Sequence, residues 1–230
     1  MIRVEDLEIF SGKIEPHDFG SLTPCGFLEG DPQKVVRNLA SFKQRGSMEE
    51  IDLRYAQVIN AWTEFGCFQG IRVPRFTAYR NFFVVVDFVE GESLDKKQFT
   101  GENPEENITI GRFLGSLADY ADDKCHNGGV YLSDQKPQQY MYGTTIQESS
   151  PGVYFVDLDY EMGVIDPEDL YDLAIPRLFF GISKVFRGVD RKFDPQTFSQ
   201  ERMRLQELIK EARERYNSHI LGYAWESLNV

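Results

Sequence analysis

The spacing of apolar positions changes near residue 90. Before it, Val35-Val36 and the run Phe82-Phe83-Val84-Val85-Val86 are β-branched or aromatic, the composition of strands. One segment differs: between Met48 and Phe65, Ile51, Tyr55, Val58, Ile59 and Trp62 recur at helical spacing. Ser47, with Glu50 three residues on, forms a capping-box pattern for its start. Val73-Pro74 then returns the chain to extended backbone. After Gly91 helical spacing dominates. Ile108 to Tyr120 sets Ile110, Phe113, Leu114 and Leu117 on one face. Asp169 to Phe186 is apolar nearly all round, which predicts a buried helix, and Pro176 inside it predicts a kink or a late start. Ser199 to Tyr216 is a charged helix with a stripe of Met203, Leu205, Leu208, Ile209 and Ala212. The polar stretch Gly143 to Gly152 reads as a turn between two strands. The pattern predicts an α+β chain, with a β-rich lobe and one helix over residues 1–90 and a mainly helical lobe over 91–230.

Two polar features interrupt this pattern. In Leu132-Ser133-Asp134-Gln135-Lys136-Pro137-Gln138-Gln139, an Asp is followed by a Lys two residues on and a carboxamide five residues on. The apolar strand Val153-Tyr154-Phe155-Val156 ends abruptly in Asp157. Phosphoryl transfer is mostly positioning plus charge neutralisation, and it needs these residue types. Carboxylate and amide oxygens suit Mg²⁺, while a Lys can neutralise the transferring group. Each residue also has a plain structural reading. Asp134 sits in a Ser-Asp-Gln-Lys-Pro turn, and Asp157 closes a strand. Lys136 and Arg37 can equally be solvated surface cations, and Gln139 is one methylene longer than a rigid amide ligand would be.

With these two features in this order, the chain resembles a minimal member of the protein-kinase-like superfamily. It is nearer to the small atypical kinases (the KEOPS-complex kinase, RIO kinases and aminoglycoside phosphotransferases) than to a full-size protein kinase. The connector Val86-Asp87-Phe88-Val89-Glu90-Gly91-Glu92-Ser93-Leu94 matches the family's adenine-contacting hinge, which implies cofactor contacts at Asp87 and Val89. The resemblance further implies that Asp134 orients the accepting hydroxyl and Lys136 neutralises the γ-phosphoryl group. By the same resemblance Gln139 and Asp157 hold the metal, Arg37 holds the phosphates, and Asp172 braces the catalytic loop. ATP and Mg²⁺ are the implied cofactors.

The departures from the family pattern are specific. Leu132-Ser133 stands where His-Arg or His-Gly usually precedes the Asp, and Gln139 replaces Asn. Asp157-Leu158-Asp159 is closer to the Asp-x-Asp of small-molecule kinases than to Asp-Phe-Gly. Arg37 stands in place of the strand Lys, and Tyr55 in place of the helix Glu, with Glu50 or Asp52 as substitutes one turn earlier. Gly20, Gly26 and Gly30 do not form a Gly-x-Gly-x-x-Gly loop. Asp18-Phe19-Gly20 spells the metal motif but precedes every other element, and it reads as a turn.

Composition narrows the partners. A net charge of −12 argues against non-specific nucleic-acid binding, which needs a basic surface. Cys25, Cys67 and Cys125 have no metal spacing and read as free thiols of a reducing compartment. No apolar run approaches a membrane span, so the expected setting is cytoplasmic. Two functions follow from the pattern. The first is an atypical kinase acting on a protein or small-molecule hydroxyl. The second is a pseudokinase that keeps the fold, and perhaps a nucleotide, as a binding or scaffold module.

Overall fold

The computed structural model describes residues 8–9, 13–16, 25–38, 48–80, 83–132, 135–157, 162–165, 173–194 and 196–229. Ser47, Ser133, Asp134, Asp159, Asp169, Asp172 and the Asp18-Phe19-Gly20 triplet lie outside these residues, as do the side chains of Glu50, Asp52 and Tyr55.

The first part of the chain builds one sheet from β1 (Glu8–Ile9), β2 (Ile14–Pro16), β3 (Cys25–Leu28), β4 (Asp31–Asn38), β5 (Phe76–Arg80) and β6 (Phe83–Asp87). Helix α1 (Met48–Phe65) connects β4 to β5. The strand order is β1-β5-β6-β4-β3-β2, antiparallel except for the short β1–β5 pair. Val35 and Val36 therefore pair directly with Val86 and Val85. Alternation along the strands sorts the valines. Val84 and Val86 join Ile59, Trp62 and Phe76 in the main core, while Val36 and Val85 pack on the other face against Ile14 and Leu28. Arg37 lies opposite Val84, so it shares the face that looks toward the rest of the molecule.

Beyond Phe88-Val89 the described residues form two small sheets and four helices. β7 (Glu90–Ser93), β9 (Tyr140–Thr144) and β10 (Gly152–Phe155) form one sheet, and β8 (Gly129–Leu132) pairs with β11 (Met162–Ile165). The helices are α2 (Pro104–Asn127), α3 (Ala174–Asp190), α4 (Ser199–Arg215) and α5 (His219–Ser227). Together with the first sheet they form an α+β fold, β-rich first and helical after, as the apolar pattern predicts.

Several element boundaries differ from the apolar pattern, each for a local reason. α2 begins at Pro104, not Ile108, because the Asn103 side chain caps it by accepting from the Glu105 and Glu106 N–H groups at 3.1 and 3.3 Å. α3 starts late, at Ala174, which puts Pro176 in the first turn, where a missing N–H costs nothing. α5 is too short for periodicity to reveal, and the Ser218 side chain caps it. Glu106 is buried and paired with Lys97 at 3.1 Å, so it is not the solvated helix end that the Glu105-Glu106 pair suggests. Among the described residues, no helix is long and apolar enough to cross a membrane.

The two lobes are joined by the segment after α1. The Arg72 N–H donates to the Val153 carbonyl (2.9 Å), and the Phe155 N–H donates to the Arg72 carbonyl (2.8 Å). The Arg72 guanidinium also reaches the Ser150 carbonyl (2.7 Å) and the Glu148 carboxylate (3.0 Å). Below this segment, Phe65 is fully buried and meets the rings of Tyr120 and Phe155 edge-on at 4.6 and 5.2 Å. These contacts fix β10, the strand that delivers Asp157, against the helix of the first lobe.

Candidate active site

Three of the residues singled out in the sequence meet where β4 faces the segment that follows β10. Arg37, from β4 of the first lobe, donates to the Val156 carbonyl at 2.6 Å, and its Nη1 stands 3.7 Å from Asp157 Oδ1. Gln139 Nε2 donates to Asp157 Oδ2 at 2.8 Å. Gln139 Oε1 in turn accepts the Lys136 backbone N–H at 2.8 Å, and the Val156 N–H donates to the Gln139 carbonyl at 2.9 Å. The Arg37 and Asp157 side chains are 13% and 17% exposed, a partly desolvated pair in which charge attraction is stronger than in bulk water. Lys136 is exposed at the mouth of the same loop. Asp134 lies outside the described residues.

The loop that carries Lys136 and Gln139 is held from below. A single 3₁₀ turn, Pro137–Gln139, ends it and runs into β9. Gln135 is 1% exposed; its Nε2 donates to the Leu132 carbonyl at 3.0 Å, and its Oε1 accepts the Tyr140 hydroxyl. The Tyr120 hydroxyl accepts the Leu132 N–H at 3.0 Å. Burial pushes both phenols above their ordinary range, so they stay protonated as hydrogen-bonding groups. α3 closes against the loop at glycines. A Cβ on Gly188 would lie 2.6 Å from Pro137 Cγ, and one on Gly181 would lie 2.9 Å from Gln135 Cβ. These contacts went unseen in the sequence because Gln135 looks like one more polar loop residue. The only available signal was the large aromatic Tyr140 opening a strand five residues later.

This scaffold yields a stability prediction. Tyr140→Phe removes the donor to a buried amide oxygen and should cost about 1–3 kcal/mol, the usual penalty for a stranded buried polar group. Urea denaturation of parent and variant measures it. An unchanged midpoint would show that Gln135 does not depend on Tyr140.

At the connector, Asp87 closes β6. Its side chain is 1% exposed and forms an ion pair with Lys34 of β4, and its N–H donates to the Arg75 carbonyl at 3.0 Å. The carboxylate thus ties the connector to the sheet. The Phe88 N–H donates to the Gln33 carbonyl at 2.7 Å, and the Phe88 ring meets Phe27 at 5.4 Å. Val89 follows, 3% exposed, and among the described residues its backbone makes no hydrogen bond.

The donor atoms of Asp157 and Gln139 are oxygens of the type Mg²⁺ prefers, but their arrangement does not fit the ion. Gln139 presents its NH₂ group to Asp157, and flipping the amide would set that NH₂ against the Lys136 N–H. The other carboxylate oxygen faces a guanidinium. Among the described residues, no group of three or more His, Cys, Asp or Glu side chains could hold a metal ion.

No protein-family model matches the chain, and no curated protein matches it. Among solved structures the chain is similar to the Rio2 kinase of Chaetomium thermophilum in its ADP/Mg²⁺-phosphoaspartate complex. The identity is 11% and the TM-score 0.49, over 96% of this chain and 70% of that one. It is also similar to mutant forms of the PknI kinase domain of Mycobacterium tuberculosis. One has 10% identity and a TM-score of 0.49 over 100% of both chains. Another has 12% identity and a TM-score of 0.48 over 97% of this chain and 96% of that one. The strand order and connectivity are those of an α+β chain, with a six-stranded first sheet and a mainly helical second part.

Proposed function

We propose that the cleft binds ATP and that the chain is an atypical kinase, transferring the γ-phosphoryl group to a hydroxyl of a protein or a small molecule. The observation that carries this reading is the meeting of Arg37 with Asp157 and Gln139, a cation from one lobe against a carboxylate and an amide from the other. The lobes divide at residues 90 and 91 in this reading, with the Val89 backbone against the adenine edge. Arg37 contacts the phosphates, and Lys136 balances charge on the γ-phosphoryl group. Asp134 orients the acceptor hydroxyl and takes its proton as the acceptor oxygen bonds to phosphorus and the bond to the β-phosphate oxygen breaks. Mg²⁺ is the ion that the family resemblance implies, and the present partners of Asp157 and Gln139 do not fit it.

The test is ATP turnover and phosphate transfer in saturating Mg²⁺, with thermal unfolding as the binding readout. ATP at about 100 times its dissociation constant should add about 2.7 kcal/mol to stability. Asp157→Ala should abolish turnover and leave the circular dichroism spectrum unchanged, because a carboxylate in the cleft serves the ligand more than the fold. If ATP fails to stabilise the parent, the reading is wrong. A second reading, the pseudokinase, is favoured by the Gln139 N–H on one Asp157 oxygen and the Arg37 charge facing the other. It expects stabilisation by ATP with no turnover.

A further inference from the structure

The cleft supplies its own cation, and this has a consequence for how it takes a ligand. We infer that Arg37 occupies the divalent-cation position on Asp157, so that the nucleotide binds this cleft without a metal ion. The inference rests on the nucleotide-binding reading above and concerns how that same site is charged.

The argument begins with Asp157. A bare carboxylate at the cleft floor repels a triphosphate, and in metal-dependent sites a divalent ion resolves this by sitting between the two. Here the neutralising charge belongs to the chain. Arg37 Nη1 faces Oδ1 at 3.7 Å while donating to the Val156 carbonyl at 2.6 Å, so the guanidinium is anchored beside the carboxylate. Its strand position supports this placement. The antiparallel pairing of Arg37 with Val84 holds its Cα in the centre of the sheet, on the face toward the cleft. The planar guanidinium fork suits phosphate oxygens as well as carboxylates.

Gln139 excludes a metal from the other side. Its NH₂ donates to Oδ2 at 2.8 Å, and the Lys136 N–H pins its Oε1 at 2.8 Å. The extra methylene relative to Asn lets one side chain bridge the loop backbone and the carboxylate. A metal ligand in the family pattern has thus become a strap, and a metal ion would face an N–H donor where it needs an oxygen. One carboxylate oxygen accepts an N–H and the other faces a cation at 3.7 Å. A triphosphate entering the cleft therefore meets a neutralised floor.

Calorimetric titration of ATP into the full chain, in excess EDTA and again in Mg²⁺, tests the inference. The two affinities should agree within about threefold, and Arg37→Ala should weaken binding in EDTA by about tenfold or more. Asp157→Asn releases Arg37 from its carboxylate while keeping shape, so its affinity in EDTA should equal or exceed that of the parent. This variant carries the test if Arg37→Ala does not fold. Mn²⁺ binding to the nucleotide-free protein, followed by electron paramagnetic resonance, gives an independent readout: none for the parent, and a gain in Arg37→Ala. ATP binding by the parent only when Mg²⁺ is present would overturn the inference and leave the nucleotide reading standing. Mn²⁺ binding by the parent as tight as by Arg37→Ala, or loss of EDTA binding in Asp157→Asn, would also overturn it. Absence of ATP binding under either condition would overturn both readings together.

Discussion

Replacing Asp134 by Asn is expected to lower phosphoryl transfer by about 10²–10⁴-fold, the usual contribution of a general base, while leaving ATP affinity nearly unchanged. In sequence the residue stands between Leu132, the end of β8, and the buried Gln135, which bonds the Leu132 carbonyl and the Tyr140 hydroxyl. Asn keeps the size and the turn preference of Asp, so the scaffold below should not register the change. It removes only the negative charge and the ability to take a proton. An interaction made in the chemical step, and not in nucleotide binding, appears as a fall in kcat. Steady-state transfer assays with calorimetric ATP binding measure both quantities on the same preparations. A fall in affinity that matches the fall in rate would place Asp134 at the nucleotide and not at the acceptor.

Phe65→Ala is expected to be the most destabilising single substitution, at about 3–5 kcal/mol. Phe65 is fully buried at the end of α1 and touches α2 through Tyr120, β9 through Tyr140 and β10 through Phe155. Truncation removes the transfer energy of a whole ring and leaves a cavity lined by rings that cannot collapse into it, because each is packed elsewhere. In a chain of this size a loss of 1 kcal/mol lowers the melting temperature by about 2–4 °C, so a drop of about 6–20 °C is expected. Phe68→Ala, at a partly exposed position beside Tyr120, should cost clearly less. Differential scanning calorimetry separates the two. Equal losses would mean that the hub formed by Phe65 is not what joins α1 to the strand carrying Asp157.

The architecture was legible because it is written in periodicity. The valine run Val84–Val86 and the pair Val35-Val36 were recognisable as strands, and they lie side by side in the sheet. Met48–Phe65 was recognisable as a helix to its last residue. What escaped the pattern was local. The start of α2 depends on one Asn side chain, and α5 is too short to show a stripe. Glu106 looks like a solvent residue until Lys97 is brought to it.

At the candidate site, residue types singled out two stretches of the chain but left their partners undetermined. Arg37, Gln139 and Asp157 were each marked by their place in a motif-like order, and they meet. Asp87 was marked by its place in the connector, and its carboxylate pairs with Lys34. Sequence order alone established the α+β class, the strand-to-helix succession and the polar loop followed by an acid-ended strand. All of these follow from short-range periodicity and from backbone preference at turns. Only the tertiary structure decided which charges neutralise each other, which way the Gln139 amide faces, and that Gln135 is a buried anchor. Those outcomes depend on distances across the cleft between residues far apart in the chain, and on desolvation, neither of which a linear pattern encodes.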